Sequence, residues 1–166
     1  MLFRSRTPVK GLCAGFDTVS VCLSKGLGAP VGTVLVGSKE LIDRARRIRK
    51  MLGGTMRQVG VLAAAGIYAL DNNVDRLAED HANAERLAKG LAAVGLEVEP
   101  VQTNMVFAAM PKDSVAGLKQ HLEANGVKAL VSAKLRLVTH LDVDAQDIDR
   151  AVQVFGAFFQ KAIAAE

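Results

Sequence analysis

The sequence predicts an α/β fold in two parts. Short runs rich in Val, Thr and Leu have strand length, and they alternate with longer stretches whose apolar residues recur at helical spacing. Half of the 166 residues are hydrophobic and 23% are charged, a globular composition with enough length for a core that needs no staples. Asn72-Asn73 interrupts the pattern, which divides the chain into residues 1–72 and 73–166.

The first part holds two strands and two helices, preceded by seventeen residues read as irregular. Thr18 to Ser24 alternates Thr18, Ser20 and Cys22 against Val19, Val21 and Leu23, which predicts a largely buried strand. Lys25-Gly-Leu-Gly-Ala-Pro30 is a turn. Val31 to Val36 is a second strand, closed by Gly37. Ser38 is placed to cap a helix with Leu41, Ile42, Ala45, Ile48 and Leu52 on one face, ended by Gly53-Gly54. Thr55 restarts a helix through Leu70. Its small residues, from Gly60 to Gly66, suit close packing inside a larger body. Two strands cannot cover two apolar helices, so residues 38–70 are expected to present a large apolar surface.

The second part reads helix–strand–strand–helix–strand–helix, enough to close a small α/β layer. Val74 to Leu91 is amphipathic and ends at Gly95. Leu96–Pro100 alternates apolar and acidic residues, and Met105–Met110 is a more buried strand. Asp113 is expected to cap a short helix carrying Val115, Leu118 and Leu122, stopped by Gly126. Lys128–Leu141 holds one or two strands. Asp144 caps a last helix with an apolar stripe from Ile148 through Phe155 and Phe158 to Ala162 and Ile163.

Several function classes are disfavoured. The longest apolar run, Val59–Leu70, is far short of the roughly 20 residues of a membrane span. The basic start, MLFRSRTPVK, lacks the apolar core of a secretion signal. Cys13 and Cys22 are expected to be free thiols in a reducing, cytoplasmic setting. A net charge of +4 and 4% aromatics give no platform for nucleic acid, so Arg44, Arg46, Arg47 and Arg49 are expected to form a wet face. Three scattered histidines and two cysteines nine apart offer no metal-ligand spacing. His81 and His121 fall on helix faces and are expected to be structural.

Lys25 is the most informative residue. It stands where a strand ends and a glycine turn begins, the edge at which α/β proteins bind ligands. An amine partly desolvated there is a nucleophile able to form a Schiff base. Ser24, Gly26, Gly28 and Ala29 leave room beside it. The competing reading is a surface lysine on a turn. Arg136, in the alternating stretch Leu135-Arg-Leu-Val-Thr-His140, shares a face with Val138 and His140, and its fork suits a carboxylate. The competing reading is a snorkelling arginine on a wet strand. Lys50 and Arg57 flank the Gly53-Gly54 turn, either as site cations or as a solvated helix end.

Three ordered blocks add a family resemblance: Asp17 to Gly32 with its SKGLGAPVG string, Arg49 to Gln58 followed by VGVLAAAGIYAL, and Arg136 to Val143 with its RLVTH string. They resemble the low-specificity L-threonine aldolases, fold-type-I pyridoxal-phosphate enzymes grouped with the β-eliminating lyases. The resemblance runs from about Thr7 to the end. It implies the C-terminal part of such an enzyme, with residues 1–72 a remnant of the large cofactor domain and 73–166 the small domain. It implies pyridoxal 5′-phosphate held covalently on Lys25, and retro-aldol cleavage of threonine to glycine and acetaldehyde. It implies that Arg136 binds the substrate carboxylate, that Lys50 and Arg57 border the site across a subunit contact, and that the complete enzyme is a homo-oligomer. Ser24 and His140 border the site, His140 placed to orient Arg136. Elimination or transamination on the same scaffold, and a non-catalytic association module, are the alternatives.

The family pattern also includes a histidine stacked on the cofactor ring, a phosphate cup, and an Asp-Gly-Ala-Arg segment, all before the lysine. Here no Asp-Gly-Ala-Arg precedes Lys25, only LFRSR stands near its place, and no histidine precedes His81. These 166 residues alone are therefore expected to be catalytically incomplete.

Overall fold

The computed structural model describes residues 7–163, with side chains through Gln160. The chain divides into two compact units, one running through Leu77 and the other beginning at Ala78.

The first unit opens with a short helix, α1 (Val9–Cys13), where irregular chain is expected. Pro8 starts it, and its carbonyl accepts from Gly11 and Leu12 at 2.9 and 3.2 Å. β1 (Thr18–Cys22) and β2 (Thr33–Gly37) then form an antiparallel hairpin, with Thr18 opposite Gly37 and Cys22 opposite Thr33. β1 ends before Leu23, because Ala29 folds back to donate to the Leu23 carbonyl. The expected burial of β1 does not hold. Thr18, Ser20 and Val21 are exposed, as is every residue of β2. The cause is topological: among the described residues the ribbon has no third strand.

Helix α2 (Lys39–Met51) starts as predicted at Ser38, whose Oγ accepts from the Leu41 N–H at 3.3 Å. The next helix, α3 (Gly60–Asn72), begins five residues later than Thr55. Gln58, at φ 53°, holds a left-handed turn that delays it. Gly66 and Ala69 are the buried residues of α3. Its Val61, Ile67 and Tyr68 are at least 60% exposed, as are Met51 and Leu52 near the end of α2. The apolar surface expected over 38–70 is present.

The second unit has a closed core. Helix α4 (Leu77–Ala93) starts later than Val74 because residues 74–76 form a turn. β3 (Glu97–Val98), β4 (Met105–Ala109) and β5 (Lys134–Val138) make an antiparallel sheet in that order. The segment 128–141 therefore holds one strand. Lys112–Ser114 is a single 3-10 turn leading into α5 (Val115–Ala124), and Ser114 rather than Asp113 occupies the cap position. Gly126 ends α5 at φ 75°, and Val127 returns to donate to the Leu122 carbonyl at 2.9 Å, a left-handed helix end that favours glycine.

Asp144 caps α6 (Ala145–Ile163) as predicted: its Oδ1 accepts from the N–H groups of Gln146 and Asp147 at 2.8 and 2.9 Å. Asp147 returns the contact to the Asp144 N–H, a reciprocal capping box. Leu87 and Leu91 of α4, Val106 and Ala108 of β4, Leu135 of β5, Leu118 and Leu122 of α5, and Ile148 and Phe155 of α6 form one buried cluster. Ala162 and Ile163 of the predicted stripe lie outside the described side chains. The α4 and α6 backbones approach closely at two glycine–valine contacts, Gly90 on Val152 and Gly156 on Val94.

These contacts set two expectations for urea unfolding. Phe155→Ala removes a 1% exposed ring and should cost about 3–5 kcal/mol. Gly90→Ala improves helix propensity by about 1 kcal/mol. Its new Cβ would collide with the β-branched Val152, so it should still destabilise, and Val152→Ala should restore it.

Candidate functional site

Lys25 sits on the hairpin connection of the first unit. Two bonds close the base of that loop, Leu23 N–H to Gly32 O at 2.9 Å and Ala29 N–H to Leu23 O at 3.0 Å. Gly28, at φ 72°, makes the tight turn in which its N–H reaches the Lys25 carbonyl at 2.8 Å. Leu23 and Ala29 pack with Ala69 of α3 in a small buried cluster, with Leu27 against it. A side chain at Gly66 would meet Leu23, so the loop lies directly on α3. Asn73 fastens the far side, donating from Nδ2 to the Leu27 carbonyl at 2.7 Å.

The Lys25 side chain is exposed. This corrects the expectation of a partly desolvated amine. The argument from the carboxyl edge of strands belongs to parallel sheets, whereas Lys25 lies on an antiparallel ribbon. Ser24 beside it is also exposed and contacts the Cys22 Sγ at 3.5 Å. That hydrogen bond, with help from the Ser24 backbone, pulls the Cys22 thiol below its usual pKa. Cys22 and Cys13 are both half-buried free thiols. Lys50 lies in the last turn of α2 and Arg57 in the turn before α3, both exposed. A groove of about 340 Å³ between β2 and α2 is lined by Arg46 and Arg49 over Leu35 and Ile42.

Arg136 and His140 belong to the second unit. Arg136 stands mid-strand on the wet face of β5, directly opposite Phe107. Its Nη2 donates weakly to the Met105 thioether at 3.7 Å. Lys134, on the same face, is held elsewhere: it pairs with Glu99 at 2.7 Å and lies 5.3 Å from the centre of the Phe107 ring. The guanidinium of Arg136 thus keeps an uncommitted fork beside a neutralised neighbour. Sequence reasoning missed the Met105 contact because it depends on cross-strand register, which spacing within one strand does not reveal.

His140 does not touch Arg136. Its Nδ1 accepts from the Asp142 N–H at 3.3 Å and lies 3.5 Å from the Asp142 carboxylate, so it orders the loop after β5. A groove of about 490 Å³ runs beside β5, lined among others by Val127, Arg136, His140, Ile148, Arg150 and Phe155. Thr139, 1% exposed, pins the strand end: its Oγ1 donates to the Asp80 carbonyl at 2.6 Å, and its carbonyl accepts from Asn104 Nδ2 at 2.7 Å. His121 contacts the Val154 carbonyl at 3.0 Å and packs on Phe158, a structural role. His81 is half-buried on α4, and that burial lowers its pKa. Among the described residues no group of three or more His, Cys, Asp or Glu could hold a metal ion, and no helix is long and apolar enough to cross a membrane. The LFRSR stretch lies outside the described residues.

The depressed Cys22 pKa makes a prediction that isolates Ser24. Iodoacetamide should alkylate Cys22 a few-fold more slowly in Ser24→Ala at pH 7.5, and at an unchanged rate well above the thiol's pKa, as read by peptide mass spectrometry.

The chain is 48% identical over 145 residues to the low specificity L-threonine aldolase of Escherichia coli K12, covering 87% of this chain and 44% of that protein. It is 42% identical over 160 residues to a probable low-specificity L-threonine aldolase of Arabidopsis thaliana, covering 92% of this chain and 45% of the other. The chain thus spans about half the length of the curated relatives it matches. In three dimensions it matches a solved chain from Exiguobacterium sp. 255-15, assigned to the aromatic amino acid β-eliminating lyases and threonine aldolases. The TM-score is 0.79 at 20% identity, over 95% of this chain and 49% of that one, so the fold is shared. A family model of the β-eliminating lyases matches residues 3–113, and the chain belongs to that family.

Proposed function

We propose that this chain is the Lys25- and Arg136-bearing part of a lyase that cleaves the Cα–Cβ bond of L-threonine and related β-hydroxy amino acids, giving glycine and an aldehyde. The observation that carries the reading is the 48% identity to a low specificity L-threonine aldolase across 87% of this chain, through the Lys25 turn. Residues 1–72 would belong to the cofactor domain and 73–166 to the small domain, a reading supported by the change of compact unit at Leu77–Ala78.

The cofactor of this reading is pyridoxal 5′-phosphate, and the residues of the turn fit it. Lys25 offers an exposed primary amine between the short Ser24 side chain and Gly26, which has none. When bound, the cofactor supplies an electron sink for the charge left on Cα as the bond breaks. The chain's own part is to hold that amine on a closed loop and to orient the substrate. Arg136 takes the α-carboxylate through its free N–H groups, a planar match that a lysine would lack. His140 with Asp142 shapes the groove beyond it. Lys50 and Arg57, exposed on either side of the Gly53-Gly54 turn, would border the site across a subunit contact, where their charge would draw an anionic group of cofactor or substrate. Assembly as a homo-oligomer and a reducing, cytoplasmic setting complete the proposal, the latter supported by two free thiols.

Two experiments test it. Borohydride reduction after adding pyridoxal phosphate to the chain should fix the label at Lys25 ahead of the other lysines, and Lys25→Ala should abolish that peptide's label. Even labelling of all lysines would overturn the assignment. Joined to the unmatched portion of the E. coli relative, the chain should release glycine from L-threonine. Arg136→Ala should then raise KM on the order of 100-fold, with Arg136→Lys recovering only part. The chain by itself is expected to be inactive.

A further inference from the structure

Arg136 is exposed and, among the described residues, its guanidinium reaches only the Met105 thioether. A carboxylate nevertheless stands in its row. β5 pairs with β4 so that Arg136 is opposite Phe107. On the other side of β4, Glu97 is opposite Ala109 and Val98 opposite Ala108. Glu99 continues that register, its N–H donating to the Phe107 carbonyl at 2.9 Å. Glu99, Phe107 and Arg136 therefore lie in one line across the sheet. Two strand spacings separate the ends of that line, roughly 10 Å between backbones. An extended arginine and a glutamate span that distance together. The aromatic ring between them is a surface on which a guanidinium stacks well.

Lys134 stands in the way of that meeting. It lies on the same face as Arg136, opposite Ala109, and so in line with Glu97. Its ammonium does not stay in that row. It crosses diagonally to the Glu99 carboxylate at 2.7 Å and lies 5.3 Å from the centre of the Phe107 ring. One lysine thus takes both the carboxylate and the aromatic seat that are within reach of Arg136. We propose that Lys134 is a positioning residue: by holding Glu99 over Phe107, it keeps the Arg136 fork open for the carboxylate of an amino-acid substrate. The inference rests on the reading that Arg136 clamps that carboxylate, and it adds two residues, Lys134 and Glu99, that act through Arg136. The competition is between exposed pairs, so it is worth a few-fold change. Lys134 and Glu99 are 66% and 54% exposed, so substituting either leaves the core untouched.

Phenylglyoxal modifies guanidinium groups, and it reads the state of Arg136 in the full 166-residue chain without cofactor or activity, the Arg136 peptide being followed by mass spectrometry. Lys134→Gln should slow its labelling about two- to five-fold, because Glu99 then pairs with Arg136. Adding Glu99→Gln should restore the original rate, and Lys134→Arg, which keeps the cation, should label at that rate throughout. Unchanged labelling in Lys134→Gln overturns the proposal. So does slowed labelling that Glu99→Gln fails to restore, since the lysine would then act through something other than Glu99. In the chain joined to the E. coli portion, Lys134→Gln should raise KM for L-threonine about two- to five-fold at unchanged kcat, with the same rescue. A KM that moves in Arg136→Ala but not in Lys134→Gln also overturns the proposal. A KM that Arg136→Ala leaves unmoved refutes instead the carboxylate reading on which it rests.

Discussion

The contact of Leu23 with α3 fixes the place of Lys25. Leu23 is the last inward-facing residue before the turn, and it can lie on the helix because Gly66 has no side chain there and Ala69 has a small one. A side chain at 66 would press on the end of the Leu23 side chain. Once Leu23 is seated, the two loop-closing bonds and the Asn73 clasp follow, and the amine is held at a defined point of the ribbon. The seat itself is small: three buried side chains with Leu27 beside them. By transfer arithmetic such a cluster is worth only a few kcal/mol, little against the entropy of ordering the residues around it.

The second unit meets the same demand with a surplus. Thirteen buried apolar residues close its core, eleven from three helices and two strands with Leu96 and Met110 from the flanking chain, and the α4–α6 approach is tight enough that glycine is needed at the crossing. What lies on its wet face is therefore governed by electrostatics. Glu99 and Phe107 hold Lys134, while Arg136 keeps only a thioether. An arginine this exposed gains about 0–1 kcal/mol from a carboxylate in open water. The same pair becomes selective when water is excluded from it.

Much of this was legible in the residues. The caps at Ser38 and Asp144, the helix ends at Gly53-Gly54 and Gly126, and the alternation around Arg136 all declare themselves locally, and the structure places each where its neighbours imply. The misreadings share a cause. Thr55 could begin a helix, but residues 57–59 form a turn with Gln58 left-handed. Asp113 has capping chemistry, but the 3-10 turn moves the cap by one residue. β1 has the composition of a buried strand and lies exposed, because burial belongs to the neighbours a strand acquires. For the candidate site, Lys25 and Arg136 were visible as residue types at informative positions. Met105, Asn104 and the Thr139 anchor were not, since each acts across the sheet or through a backbone group.

Lys25 and Arg136 therefore rest on different physics. Arg136 rides on a strand whose end is pinned by buried hydrogen bonds from Thr139 and Asn104, and whose inner face is locked by Leu135. Its backbone position needs nothing further, though its affinity for an anion does. Lys25 rides on a ribbon with exposed faces, so its position rests on the three-residue anchor and the loop-closing bonds alone. Stiffness of that loop comes from the apolar residues beneath it, since Leu23 and Ala29 rest on Ala69 while water screens the amine above. The hold on Lys25 is therefore set less by the lysine itself than by the few side chains that seat its loop.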